Sequence, residues 1–109
     1  MSKIFIIPFH VKPLAQSIMP AGLSGAYVSC YAPAEEYIEA TRKALRRLSE
    51  DGLHPEEILQ PIQEMDSASW ADHITTTWPE QAENLPTQAE FDEVVLRDGV
   101  VYGPFGSYE

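Results

Sequence analysis

The chain has 109 residues and a mass of 12.2 kDa, which suits one small domain, so we expect residues 1–109 to fold as a single unit. A hydrophobic fraction of 44% and a charged fraction of 22% are typical of globular domains, and they exclude a wholly disordered chain, collagen and repeat arrays. Seventeen acidic against seven basic residues give a net charge of -10, which argues against nucleic acid and anionic membrane surfaces as partners.

The beginning of the chain predicts two strands joined by a long connection. Residues 3–11 form a nearly continuous apolar run, as expected of a strand with packed neighbours on both faces, and Pro8 within it indicates an edge or a bulge. Residues 12–24 contain two prolines and one glycine and are too long for a tight turn, so we interpret them as a mobile flap or as a connection with one short helical turn. Residues 25–31 alternate in a strand pattern, with Ala26, Val28 and Cys30 on one face and Tyr27, Ser29 and Tyr31 on the other.

A helix is predicted over residues 34–51, followed by a third strand. Pro33 is tolerated at the start of a helix, and Gly52 supplies a stop at its end. The inward face of this helix is predicted to carry Tyr37, Thr41, Ala44, Leu45 and Leu48. Residues 57–65 predict the third strand, although Pro61 weakens the pattern.

A short helix over residues 67–78 is optional. The spacing of Trp70, Ile74 and Trp78 supports it, and three consecutive threonines oppose it because β-branched residues are poor helix formers.

The end of the chain predicts a capped helix and a last strand. Thr87 and Glu90 match a capping box, which predicts a helix over residues 88–97 that ends before Gly99. Phe91, Val94 and Val95 would point inward, residues 100–105 would form the last strand and residues 106–109 a tail.

The order of these elements predicts an α+β fold. We expect a ferredoxin-like two-layer sandwich, with a mainly antiparallel four-stranded sheet and two or three helices on one face. The strand, helix and strand between residues 25 and 65 would form a right-handed crossover with parallel strands.

No residue pattern in the chain points to catalysis, a cofactor or a metal. The histidines His10, His54 and His73 lack the spacing at which two imidazoles meet one ion on a helix. Cys30 is the only cysteine, which excludes an intramolecular disulfide, and its strand face predicts a core residue rather than a nucleophile. Phosphate-binding, dinucleotide-binding and serine-hydrolase motifs are absent, so an enzyme is less favoured than a binding protein.

The sequence also predicts where the protein resides. Residues 1–7 lack the features of a secretory signal, and the chain has no run of about 18 apolar residues that would span a membrane. With a single cysteine, these features favour the cytoplasm.

Four basic residues of the predicted helix form the chain's one basic cluster: Arg42, Lys43, Arg46 and Arg47. Taken alone they could attract a phosphate or an acidic partner, but they follow the acidic first turns of the same helix, so the helix dipole and i, i+4 pairing explain them without a ligand.

Three tyrosines predict an aromatic surface. Tyr27, Tyr31 and Tyr102 are expected on the sheet face turned away from the helices, where they would form a protein interface or a homodimer contact, or pack as half-buried sheet residues.

Charge divides unevenly along the chain. Residues 1–54 hold six basic and five acidic residues, whereas residues 55–109 hold one basic and twelve acidic residues. The second half can therefore present an acidic patch to a basic partner protein, with the carboxylates of Asp66, Asp72, Glu90, Asp92 and Glu93 as candidate contacts.

Two functions fit this sequence. In size, acidity and lack of a catalytic motif the chain is similar to small bacterial immunity and inhibitor proteins, which implies a module that neutralises or regulates a basic protein. The alternative is a ferredoxin-like homodimer that holds a small molecule between its sheet and the flap of residues 12–24, with or without enzymatic activity.

Overall fold

The computed structural model describes residues 3–109 as a sheet of six strands with three α-helices. The elements are β1 (Lys3–Pro13), β2 (Gly25–Pro33), α1 (Tyr37–Glu50), β3 (Leu53–Ile58), β4 (Gln63–Asp66), α2 (Trp70–Thr77), α3 (Gln88–Leu96), β5 (Val101–Tyr102) and β6 (Gly106–Tyr108), with single 3-10 turns at Ser67–Ser69 and Ala82–Asn84. Across the described residues, none of the helices has the length and apolar character needed to traverse a membrane.

The sheet is antiparallel throughout and four strands wide. β1 and β2 form its centre, in a register that runs from Ile4 opposite Pro33 to Val11 opposite Ala26. β3 and β4 pair one after the other with the outer side of β1, and β5 and β6 do the same with β2. The α+β class and the antiparallel sheet are therefore confirmed, while each edge consists of two short strands instead of one.

The predicted third strand is interrupted. β3 ends at Ile58 and pairs with the last five residues of β1, whereas β4 begins at Gln63 and pairs with the first four. Pro61 lies between the two strands and has no N–H to donate to a ladder. At the other edge, the predicted last strand shortens to β5, and the predicted tail forms β6.

The helices lie on both faces of the sheet, which corrects the prediction of a two-layer sandwich with all helices on one face. α1 packs on the face that carries Phe5, Ile7, Phe9 and Val11 of β1. α2 and α3 pack on the opposite face, with Ile4 and Ile6 of β1. Because successive side chains of a strand point to opposite faces, the continuous apolar run of β1 supplies a core to both sides.

The crossover from β2 through α1 to β3 spans β1. β2 and β3 each pair antiparallel with β1, so they run parallel to one another as predicted, without being neighbours.

The inward face of α1 differs from the prediction at its first turn. Ala40, Ala44 and Leu48 are fully buried and Leu45 is half-buried, whereas Tyr37 is 40% exposed. Ala40 takes the place predicted for Tyr37, because a small side chain lets the helix approach the sheet closely.

Gly52 ends α1 as predicted. Its φ of +72° lies in the left-handed region, and a Cβ there would lie 2.2 Å from the Gln16 carbonyl oxygen of the flap. The flap is fastened at this turn, since the Leu14 N–H donates to the Gly52 carbonyl and the Ile18 N–H to the Asp51 carbonyl.

The capping box at α3 is confirmed. The Thr87 hydroxyl accepts a hydrogen bond from the Glu90 N–H at 3.2 Å, and the Glu90 carboxylate accepts one from the Thr87 N–H at 2.8 Å. At the other end, Asp98 takes the left-handed conformation with φ +63°, and the Gly99 N–H donates to the Val94 carbonyl.

Candidate functional site

The sheet separates the acidic from the basic part of the molecule. Residues 66–93 form a layer on one face and contain seven carboxylates and no lysine or arginine; we call this the acidic layer. Its carboxylates belong to Asp66, Asp72, Glu80, Glu83, Glu90, Asp92 and Glu93, of which only Asp66 is half-buried and the others are exposed. The basic cluster lies on α1, which packs on the opposite face.

Gln88 joins the two helices of the acidic layer. Its Nε2 donates to the Ser67 carbonyl at 2.9 Å and to Asp92 Oδ1 at 2.7 Å, and its Oε1 accepts from the Ala71 N–H at 2.9 Å. These contacts bring the starts of α2 and α3 together. Of the predicted contact residues, Asp92 bonds Gln88 directly, while Asp66 and Asp72 each adjoin in sequence a residue that Gln88 bonds.

The candidate carboxylates differ in whether they are already hydrogen-bonded within the protein. Asp66 accepts from the Ala68 N–H at 2.9 Å and caps the turn before α2, and Glu90 belongs to the capping box. Within residues 3–109, the side chains of Asp72 and Glu93 form no hydrogen bond or ion pair and are exposed. Asp72 and Glu93 are thus the members that a partner would meet without disturbing the helix ends.

Stacked aromatic rings form the base of the acidic layer. The rings of Trp70 and Phe91 are parallel within 5°, with centroids 4.3 Å apart, and both residues are fully buried. The Trp70 indole also donates to the Pro86 carbonyl at 2.7 Å. α2 and α3 are thereby held as one rigid surface.

Tyr31 belongs to the core beneath the acidic layer, which corrects its prediction as a surface contact. It is 1% exposed and meets the edge of Trp70 at a centroid distance of 4.9 Å. Its hydroxyl lies 2.7 Å from His73 Nε2 and accepts from the Trp78 indole at 3.1 Å. Burial raises the pKa of Tyr31 and lowers that of His73.

Tyr102 lies on the opposite face, beneath α1, and this also corrects the prediction. It pairs with Cys30 across β5 and β2, so the two residues lie on the same face of the sheet, in the core that α1 covers. Its hydroxyl donates to Asp51 Oδ2 at 2.6 Å, and the Arg47 guanidinium lies 4.7 Å from its ring centre. Burial and the hydrogen bond to Asp51 raise the pKa of Tyr102.

Asp51 shares its carboxylate between two donors. Arg47 Nε donates to Asp51 Oδ2 at 2.8 Å, beside the hydroxyl of Tyr102. Burial by itself would raise the pKa of Asp51, but the two hydrogen bonds and the charge of Arg47 outweigh it and hold that pKa below its ordinary value. This cluster fastens the end of α1 to β5.

Tyr27 is the predicted tyrosine that reaches the surface, with half of its side chain exposed. It stacks on His10 at a centroid distance of 4.8 Å, and Tyr108 closes the group through a 2.6 Å hydrogen bond between its hydroxyl and His10 Nε2. We call His10, Tyr27 and Tyr108 the aromatic surface. His10 and Tyr27 lie on the first two predicted strands, so their pairing could have been predicted from the sequence. Tyr108 lies in the predicted tail, which forms β6 and pairs with β2, so its approach to His10 could not.

The rest of the described chain offers little for catalysis. Cys30 is buried, and burial raises its pKa to about 12, so it remains a thiol at neutral pH. Residues 3–109 contain no group of three histidine, cysteine or carboxylate side chains arranged to hold a metal ion.

Two clefts lie beside α1, and flap residues do not line either of them. One has a volume of about 430 Å³ and is lined mostly by charged side chains. The other, of about 400 Å³, lies among Phe5, Tyr37, Gln60, Ile62 and Glu64.

Comparison with protein-family models, with curated proteins and with solved structures gives no match to this chain. The acidic layer, the aromatic surface and the clefts are therefore the features of this chain that bear on its function.

Proposed function

We propose that the protein is a cytoplasmic binding module, of the immunity or inhibitor kind, that neutralises or regulates a basic partner protein through its acidic layer. The observation that carries the proposal is the collection of seven carboxylates, without a lysine or arginine, in one layer of the fold. A surface of one sign raises the rate at which an oppositely charged partner meets it in the correct orientation.

The rigidity of the acidic layer supports this proposal. The stacked Trp70 and Phe91 and the three hydrogen bonds of Gln88 hold the two helices before any partner arrives. A preorganised surface loses less conformational entropy on binding, so more of its interaction energy becomes affinity.

A ferredoxin-like relationship is a second part of the proposal, limited to β1, β2, α1 and β3. Its support is that two strands joined by a helix lie on either side of β1, which is the split strand, helix and strand arrangement of that fold.

The alternative function is a homodimer that binds a small molecule, with or without enzymatic activity. The aromatic surface favours a dimer contact, because tyrosine is enriched at protein interfaces and Tyr27 is half-exposed. The flap backbone is bonded to the turn after α1, and flap residues do not line either of the two clefts described above.

The test is capture of a partner from the native host, followed by association kinetics with two matched variants. Asp72→Asn with Glu93→Gln removes two charges from the acidic layer, and Glu36→Gln with Glu50→Gln removes two exposed charges around α1. We expect the first pair to slow association several-fold and to weaken its salt dependence, and the second pair to leave both nearly unchanged.

Two results would contradict the proposal. One is an association rate that does not change with salt, and the other is an equal effect of the two pairs of substitutions. A concentration-dependent mass in ultracentrifugation that Tyr27→Ala abolishes would instead favour the homodimer.

A further inference from the structure

The cleft of about 430 Å³ lies between the outer side of α1 and the turn that leads from α3 to β5. Four basic and three acidic side chains line it, together with the backbone of the turn; these residues are Glu39, Arg42, Lys43, Arg46, Arg47, Glu50, Asp98, Gly99 and Val100. The cleft is separate from the acidic layer, so its function does not depend on the function proposed above.

Two of the four basic side chains have structural contacts that account for them. Lys43 Nζ donates to the Pro33 carbonyl at 2.6 Å and pairs with Asp98. Arg47 donates to Asp51 through Nε and to the Val100 carbonyl through a terminal nitrogen at 2.6 Å. These two side chains form the supporting part of the cleft.

The other two, Arg42 and Arg46, have no such contacts. Within the part of the chain that the structure describes, neither guanidinium forms a hydrogen bond or an ion pair, and both residues are exposed. They are four residues apart on α1, so they lie on the same side of the helix, where Cβ atoms at this spacing are about 6 Å apart. The helix dipole explains why basic residues are favoured toward the C-terminal end of α1, but it does not explain why Arg42 and Arg46 line a cleft.

The acidic residues of the lining leave the two guanidiniums available. Asp98 is neutralised by Lys43, and the Glu39 carboxylate accepts a hydrogen bond from the Glu35 N–H. Glu39 and Glu50 remain as two charged carboxylates of the lining, and within the described residues neither forms an ion pair with Arg42 or Arg46.

We propose that this cleft binds the phosphate group of a small organic phosphomonoester. Each guanidinium presents two parallel N–H donors, which match two oxygens of an anion. A phosphomonoester has three terminal oxygens and close to two negative charges at neutral pH, so it can bind both arginines at once. A ligand with one carboxylate has two oxygens and a single charge, which pair fully with only one guanidinium. The volume of the cleft exceeds that of a phosphate ion and leaves room for the organic part.

The test is an NMR titration of the full chain with phenyl phosphate, and with benzoate as the matched carboxylate. We expect saturable shifts at the amides of Gly99 and Val100 and at the Nε–H groups of Arg42 and Arg46. Phenyl phosphate should bind more weakly below about pH 6, where it loses its second charge, and benzoate should bind at least several-fold more weakly than phenyl phosphate at neutral pH.

Single substitutions identify the residues responsible. Arg42→Gln and Arg46→Gln should each weaken phenyl phosphate binding about tenfold, because each removes a charge-assisted contact at an exposed position. Lys12→Gln removes the same charge from β1, where Lys12 pairs with Glu56, and should change the affinity less than about twofold.

Three outcomes would overturn this proposal. They are equal affinities for benzoate and phenyl phosphate, an unchanged affinity in both arginine variants, and the absence of saturable shifts at the cleft. None of them bears on the binding of a basic protein by the acidic layer.

Discussion

Removal of the Tyr31 hydroxyl tests the core beneath the acidic layer. An indole N–H only donates, so the hydroxyl oxygen accepts from Trp78, and the same hydroxyl forms a second hydrogen bond with His73 Nε2. Tyr31→Phe removes both hydrogen bonds and keeps the ring against Trp70. Because a net intramolecular hydrogen bond contributes about 1 kcal/mol, we expect the free energy of unfolding to fall by about 2 kcal/mol.

The assay is urea unfolding followed by circular dichroism near neutral pH, with Tyr27→Phe as the control. The control makes the same chemical change on a half-exposed ring whose hydroxyl forms no hydrogen bond within residues 3–109. We expect it to change the free energy of unfolding by less than about 0.5 kcal/mol. If Tyr31→Phe also lowers the free energy of unfolding by less than about 0.5 kcal/mol, the two buried hydrogen bonds of Tyr31 do not contribute as assigned.

Three further predictions concern stability. The neutral His73 ring is hydrogen-bonded to the Tyr31 hydroxyl, and burial lowers the pKa of His73, so as the pH falls below 6.5 the unfolded chain binds a proton before the folded chain does. Stability should therefore decrease below pH 6.5, and His73→Gln should flatten this dependence in urea unfolding at several pH values. Thr87→Ala should cost about 1 kcal/mol and speed amide exchange in the first turn of α3, and unchanged exchange would contradict the capping role. Leu48→Ala should cost about 2–5 kcal/mol and half-buried Leu45→Ala clearly less, and equal losses in thermal or urea unfolding would contradict the burial pattern of α1.

The predicted elements that agree with the structure depend on neighbouring residues. The helix around residues 34–51 follows from apolar spacing and from Gly52, and α3 follows from the hydroxyl of Thr87 and the carboxylate of Glu90. The residues that give such signals are close together in the sequence, so they can be recognised without knowledge of the tertiary structure.

The candidate site was predictable only in part. The excess of carboxylates after residue 55 is a property of the sequence, and the exposure of Asp72 and Glu93 agrees with their proposed role. The contacts of Gln88 were not predictable, because they join segments about 20 residues apart whose meeting depends on how α2 and α3 pack.

By itself the sequence determined the α+β class, a first strand that is apolar on both sides and a second half rich in carboxylates. Tertiary structure decided that α1 covers one face of the sheet and that α2 and α3 cover the other. It thereby buried Tyr31 beneath the acidic layer and Tyr102 beneath α1, instead of exposing both on one surface. The physical reason is that periodicity shows which side of an element is apolar, whereas the face of the sheet that buries it depends on where the connecting chain crosses.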